Sequence, residues 1–159
     1  MKKLFIYISL ITLIVSCSKD FSSEIEGYEM MSDYMLSEFT KGAALRTISQ
    51  SGEYQASNPS GSIVSWILET HDAEEGGLTD NVEIYLSYNG SFSGRPSTSE
   101  VLLKTISRSE MYDGAVGLPR LDVSLSLSEA LSTMGLSEFG GGDIVNVRYV
   151  LNLTDGRSF

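Results

Sequence analysis

The stretch Asp143-Ile144-Val145-Asn146-Val147-Arg148-Tyr149-Val150-Leu151-Asn152-Leu153 decides the fold. Side chains two apart share one face of an extended strand. Val145, Val147, Tyr149, Leu151 and Leu153 therefore line one face, and Asn146, Arg148 and Asn152 the other. A strand patterned in this way keeps one side in a core and one in water. The same alternation occurs upstream, where Val82, Ile84 and Leu86 oppose Glu83, Tyr85 and Ser87, and Val123, Leu125 and Leu127 oppose Asp122, Ser124 and Ser126. These inward sets are the predicted core.

Similar short runs recur from Lys41-Gly42 onward, and strands are predicted over 44–50, 61–70, 81–88, 100–107, 120–127 and 143–153. Clusters of Gly, Ser, Asn, Asp and Pro separate them at a spacing that suits an all-β sandwich. Trp66 lies in a run with apolar residues on both faces, Ile63, Val64, Ile67 and Leu68 among them, which predicts a central strand and a large core aromatic. One short helix is expected between the last two strands. Ser126 or Ser128 serves as its N-cap, Glu129 sits early where the helix dipole favours it, and Gly135 stops it. Leu131 and Met134 are placed to plug the end of the sandwich, the helix crossing from one sheet to the other.

After the decisive strand, Thr154-Asp155-Gly156-Arg157 carries the Asp-Gly pair of a tight hairpin turn, in which both central residues take positive φ. A strand is expected to return after it, because an unpaired edge beside so long a strand invites association. Either the sequence is part of a longer chain, the preferred reading, or another segment supplies the strand.

The N-terminus reads separately. Met1-Lys2-Lys3 is basic, 4–15 is apolar but for Ser9 and Thr12, and Ser16 precedes Cys17. That is the layout of a secretory signal peptide over 1–16. Its apolar run is shorter than the roughly 20 residues a spanning helix needs. Cys17 is the only cysteine, so the exported domain must stand on its core without disulfides. Residues 17–40 are polar and acidic and read as a tether. Within them, 28–39 spaces aromatic and methionine residues by three and four, compatible with a short helix or with lying along the domain, a fixed helix being the less favoured. The domain proper is placed at 41–159.

Charge excludes one class of partner. The formal charge is −10, and removal of Lys2 and Lys3 with the signal takes it to −12, which disfavours binding to nucleic acid.

Catalytic chemistry is not expected, and no cofactor is implied. The single histidine, His71, stands next to Asp72, but nothing like a Gly-x-Ser-x-Gly nucleophile elbow accompanies it. Asp72, Glu74 and Asp80 are weak candidates for calcium ligands, since their spacing departs from the EF-hand pattern and a solvated acidic turn explains them. Gly140-Gly141-Gly142 lacks the lysine and Ser/Thr of a phosphate loop and reads as a turn. For glycan stacking the candidates are Tyr85, on the polar face of its strand, and Tyr88 and Phe92, which flank Asn89-Gly90. Two turn-rich loops, 87–99 and 109–119, are the kind that carry binding surfaces on a rigid frame.

The residues Ile14-Val15-Ser16-Cys17 resemble the lipobox of bacterial lipoproteins, in which the cysteine takes a diacylglyceryl group on sulfur and an acyl chain such as palmitate on its amine. Several chains make such an anchor effectively permanent. Together with Ser18-Lys19-Asp20, the run from Lys41 to Ile48 and the closing Leu151-Asn152-Leu153-Thr154-Asp155-Gly156-Arg157, the chain resembles Bacteroidetes surface lipoproteins of the SusE-like kind, accessory to SusC/SusD-type outer-membrane uptake pairs. The resemblance implies an immunoglobulin- or fibronectin-III-like domain, a lipid anchor at Cys17, an outer-membrane and surface location, and a non-enzymatic part in glycan or nutrient capture with a transporter complex. Ser18-Lys19-Asp20 is similar to the export signal of that group, with one acidic residue where two often occur. The alternative is a structural or adhesive spacer carrying a further C-terminal domain.

Overall fold

A computed structural model describes residues 42–159. The expected signal peptide, Cys17, the tether and the 28–39 stretch lie outside the described residues. The chain forms β1 (Ala44–Ser51), β2 (Ile63–His71), β3 (Thr79–Asn89), β4 (Val101–Ser107), a 3-10 turn (Arg108–Glu110), β5 (Tyr112–Asp113), β6 (Pro119–Ser126), helix α1 (Leu127–Thr133) and β7 (Ile144–Leu153). The strands make two antiparallel sheets, one in the order β1-β2-β6-β5 and one in the order β4-β3-β7. Over the described residues the fold is all-β with one short helix.

Alternation places the core. Val82, Ile84 and Leu86 on β3 are fully buried, as are Val123 on β6 and Leu127 at the start of α1. Leu68, Leu121 and Val123 of one sheet join Val82, Ile84, Leu151 and Leu153 of the other in a single apolar cluster. Each such side chain contributes about 1.5–3 kcal/mol by leaving water. Trp66 reaches two clusters and meets Tyr149 edge to face, ring centroids 6.5 Å apart. Met111, in a segment read from sequence as a loop, is buried in the first cluster.

Three local expectations are refined. The Ser126 hydroxyl accepts from the Glu129 amide at 3.1 Å, so Ser126 and not Ser128 caps α1. The 109–119 loop contains β5, which pairs Tyr112 with Arg120 and Asp113 with Pro119; two residues are too few to show a period. The turn after β7 is not the two-residue type. Only Gly156 has positive φ, at +85°, and its amide donates to Leu153 at 3.0 Å, the geometry of a type I turn closed by a left-handed glycine. From there 157–159 runs back along β7, with Leu151 and Phe159 exchanging bonds of 2.9 and 3.0 Å.

Candidate functional site

At one end of the sheets a buried carboxylate holds two loops together. Asp143, just before β7, is 7% exposed. Its Oδ1 accepts from the Ser93 amide at 3.2 Å. Its Oδ2 accepts from the Gly140 amide at 2.7 Å and from the hydroxyl of Tyr88, at the end of β3. Burial pushes the Asp143 pKa up, but the bonds from Ser93, Tyr88 and Gly140 outweigh it and hold the group at about 2. Burial, and then the bond to Asp143, raise the Tyr88 phenol. Arg95 lies on the outer side, 3.7 Å from Asp143 Oδ2 and 2.8 Å from Glu138 Oε2. Gly90 permits this closeness, since a Cβ there would stand 2.6 Å from the Tyr88 ring and 2.9 Å from the Arg95 carbonyl.

Beside this clasp opens a cleft of ≈ 610 Å³. The loop between β1 and β2 contributes Pro59 and Ser60, α1 contributes Ser128 and Ser132, and the segment after α1 contributes Ser137 and Phe139. Arg95 and Glu138 form part of its rim chemistry, and Leu131 and Leu136 its apolar lining. The walls are fixed to one another: the Leu127 amide donates to Ser62, Ser128 to Pro59 and Leu136 to Leu131, at 3.1, 3.0 and 2.8 Å. Hydroxyls, one aromatic ring and a guanidinium on a rigid frame suit a ligand rich in hydroxyl groups. A smaller recess of ≈ 250 Å³ lies beside Ser49, Ser65, Ser124 and Asp122.

The chain matches no family model, no curated protein and no solved structure.

The sequence-predicted residues fall in different places. Tyr85 is on the outer face of β3, with the Arg148 guanidinium 4.5 Å above its ring and its hydroxyl donating to Glu83 at 2.9 Å. Arg148 in turn makes a two-pronged bond to Glu100 at 2.8 and 2.7 Å, so one face of the Tyr85 ring is already covered. Tyr88 is 1% exposed and offers no face for stacking, a correction that follows from its inward position two residues beyond Leu86. Phe92 is 79% exposed and lies against Gly142, where a Cβ would come within 2.2 Å of the ring. Tyr88 and Phe92 thus share the clasp region, and Tyr85 does not join them.

Asp72 is no open calcium ligand. It is buried, with Oδ1 accepting from the amides of Glu74 and Gly76 at 2.9 Å each and Oδ2 from Leu78 at 3.1 Å and Thr79 Oγ1 at 3.2 Å. Its oxygens face donors and fold the loop around themselves. Asp80 is exposed and bonds Asn81. Among the described residues no cluster of three or more His, Cys, Asp and Glu side chains could hold a metal ion. His71 is exposed at the end of β2, opposite Ala44.

Sequence reasoning missed Glu69. It occupies an outward position of β2 yet is fully buried, between Arg46 on β1 and Arg120 on β6. Arg46 donates to Oε1 through Nε at 2.8 Å and through Nη2, and Arg120 Nε donates to Oε2 at 2.6 Å. Burial pushes the carboxyl up, and the bonds from Arg120 and Arg46 bring it below its ordinary value. Only the register of three strands brings these charges together.

Proposed function

We propose that the chain is a lipid-anchored, non-enzymatic accessory protein of the outer membrane, whose β domain captures a glycan or related nutrient for a transporter complex. The cleft beside the Asp143 clasp carries this reading: it combines serine hydroxyls from three segments with Phe139 and Arg95 in walls joined by backbone hydrogen bonds. Sugars are recognised by such a mixture of hydroxyl partners and an aromatic face. The lipobox-like Ile14-Val15-Ser16-Cys17 supports the anchor.

The strand order supports an immunoglobulin-like sandwich. Taking β1, β2, β6 and β5 as strands A, B, E and D, and β3 and β7 as C and F, reproduces the two sheets of that fold. On this assignment β4 is an added strand beside C, and 157–159 begins G.

A glycan array probed with the purified chain tests the function, together with a pulldown from solubilised outer membrane. Retention of oligosaccharides and recovery of a transporter protein are expected. Failure of both would turn the assignment toward a spacer or adhesive module.

A further inference from the structure

We propose that the outer face of the β1-β2-β6-β5 sheet carries a second binding site, where Arg46 and Arg120 take the carboxylate of an acidic sugar of the uronate class and the serine recess beside them takes its ring. The site shares no residue with the cleft and does not rest on the cleft's reading. Charge is the first observation. Among the described residues Arg108 meets Asp113, Arg148 meets Glu100 and Arg157 meets Asp155, while Arg95 stands between Glu138 and Asp143. Those pairings are balanced or rich in acid. At Glu69 two guanidinium groups share one carboxylate, so the trio keeps a net positive charge in a chain of formal charge −10.

The arginines are also held in place with donors to spare. Glu69 is fully buried, and Arg120 reaches it through Nε alone. Neither terminal nitrogen of Arg120 has an acceptor among the described residues, and Arg46 keeps Nη1. Gly114 lets the Arg120 guanidinium lie against the backbone, since a Cβ there would stand 2.3 Å from Nε and 2.7 Å from Cζ. A group fixed between a buried carboxylate and a glycine is ordered before any ligand arrives, which lowers the cost of binding. The two terminal nitrogens of a guanidinium match the two oxygens of a carboxylate.

Two positions further along β2 and β6, about 7 Å away, the side chains on the same face become small. The register sets Ser49, Ile67 and Asp122 in one row across the sheet and Ser51, Ser65 and Ser124 in the next. These six line the recess of ≈ 250 Å³, below the about 300–1,000 Å³ of sites for larger ligands and of a size for one ring. The Ser65 and Ser124 hydroxyls lie 2.9 Å apart, and the exposed Asp122 takes the Tyr112 hydroxyl at 2.9 Å. A ligand with its acid group on the arginines therefore lies over hydroxyls that donate and accept and over a carboxylate that only accepts. Sugar hydroxyls satisfy both, whereas an alkyl acid would leave these groups without partners. Asp122 repels a second negative charge, which restricts the ligand to one acid group.

Proton–nitrogen correlation spectra of the full chain in detergent, titrated with galacturonate, test the site. Saturable shifts are expected at the amides of Ser49, Ile67, Asp122 and Ser124, with affinity falling as salt is raised. Galactose, which lacks the carboxylate, is expected to bind there at least about tenfold more weakly. Arg46→Gln removes one donor group and is expected to weaken galacturonate binding at least about tenfold. Ser49→Trp fills the recess, leaves the three charges in place and is expected to do the same, so the test does not hang on how the arginine variant folds. Equal affinity for galacturonate and trigalacturonate would support a free acid or a chain end as the ligand, and tighter binding of the trimer an acidic residue within a chain. Shifts confined to the cleft around Ser132 and Leu136, no saturable shift in the recess, or equal affinity for galactose would each overturn the proposal.

Discussion

The hydroxyl of Tyr88 donates to the carboxylate of Asp143, tying the end of β3 to the root of β7 across 55 positions of sequence. Because Asp143 also accepts from the Ser93 and Gly140 amides, one side chain determines where both loops lie. Tyr88→Phe removes a donor from a buried carboxylate while keeping the ring, and a lost partner costs more than the bond's net worth. Thermal melting should show a midpoint lowered by about 5 °C or more. An unchanged midpoint would mean that the Tyr88–Asp143 bond does not hold this end together.

The same carboxylate sets a pH dependence. Its pKa lies at about 2 in the folded chain against an ordinary 3.8. A depressed pKa stabilises the fold above the unfolded value, and the contribution is lost as pH falls through the folded one. Asp143→Asn should therefore be less stable than the natural chain at neutral pH, with the gap narrowing between pH 3.8 and about 2. Paired melts across that window decide it, and a gap independent of pH would refute the assignment.

Glu69 predicts an asymmetry between its two partners. The Arg46 side chain is 58% exposed and that of Arg120 only 21%. Solvent screens the first pair more than the second. Arg120→Ala should lower the melting midpoint more than Arg46→Ala, and the two effects should not add, because each variant leaves the other arginine to hold the same carboxylate. A larger loss from Arg46→Ala would contradict this order.

How far these features could be seen in the sequence depends on their range. Val82, Ile84 and Leu86 announce their burial through period two alone. Tyr88 continues that series, and the alternation itself places it inward, but the turn residues after it suggested a loop aromatic. Glu69 carries no local signal, since its burial depends on Arg46 and Arg120 arriving from strands on either side. Strand β5 is shorter than any period. The cleft is assembled from three separated segments, and serines that line it cannot be told in sequence from serines in ordinary turns.

The proposed lipid anchor makes its own prediction. On the proposed reading, Cys17→Ser leaves residues 1–16 unchanged but removes the thiol that would take a diacylglyceryl group, so the chain should move from the membrane pellet to the soluble fraction. Acyl chains contribute about 0.8 kcal/mol per buried methylene, and a chain of formal charge −10 is not drawn to an anionic membrane surface in their place. Continued pelleting of the variant, resistant to salt, would show attachment by another route.

The cleft is separable from the exposed aromatics as a binding site. Ser132 is exposed on α1 and lines the cleft. Ser132→Trp adds a large ring to a space of ≈ 610 Å³ without entering the core, so the melting midpoint should hold while glycan retention falls at least about tenfold. Phe92→Ala removes an exposed ring that is absent from the cleft lining and should leave retention nearly unchanged. The reverse pattern, with Phe92→Ala abolishing retention and Ser132→Trp tolerated, would move the site to the loop after β3. Since Phe92 packs on Gly142, next to Asp143, that outcome would still leave the clasp as the frame holding the ligand's contact residues, but would remove the cleft from the mechanism.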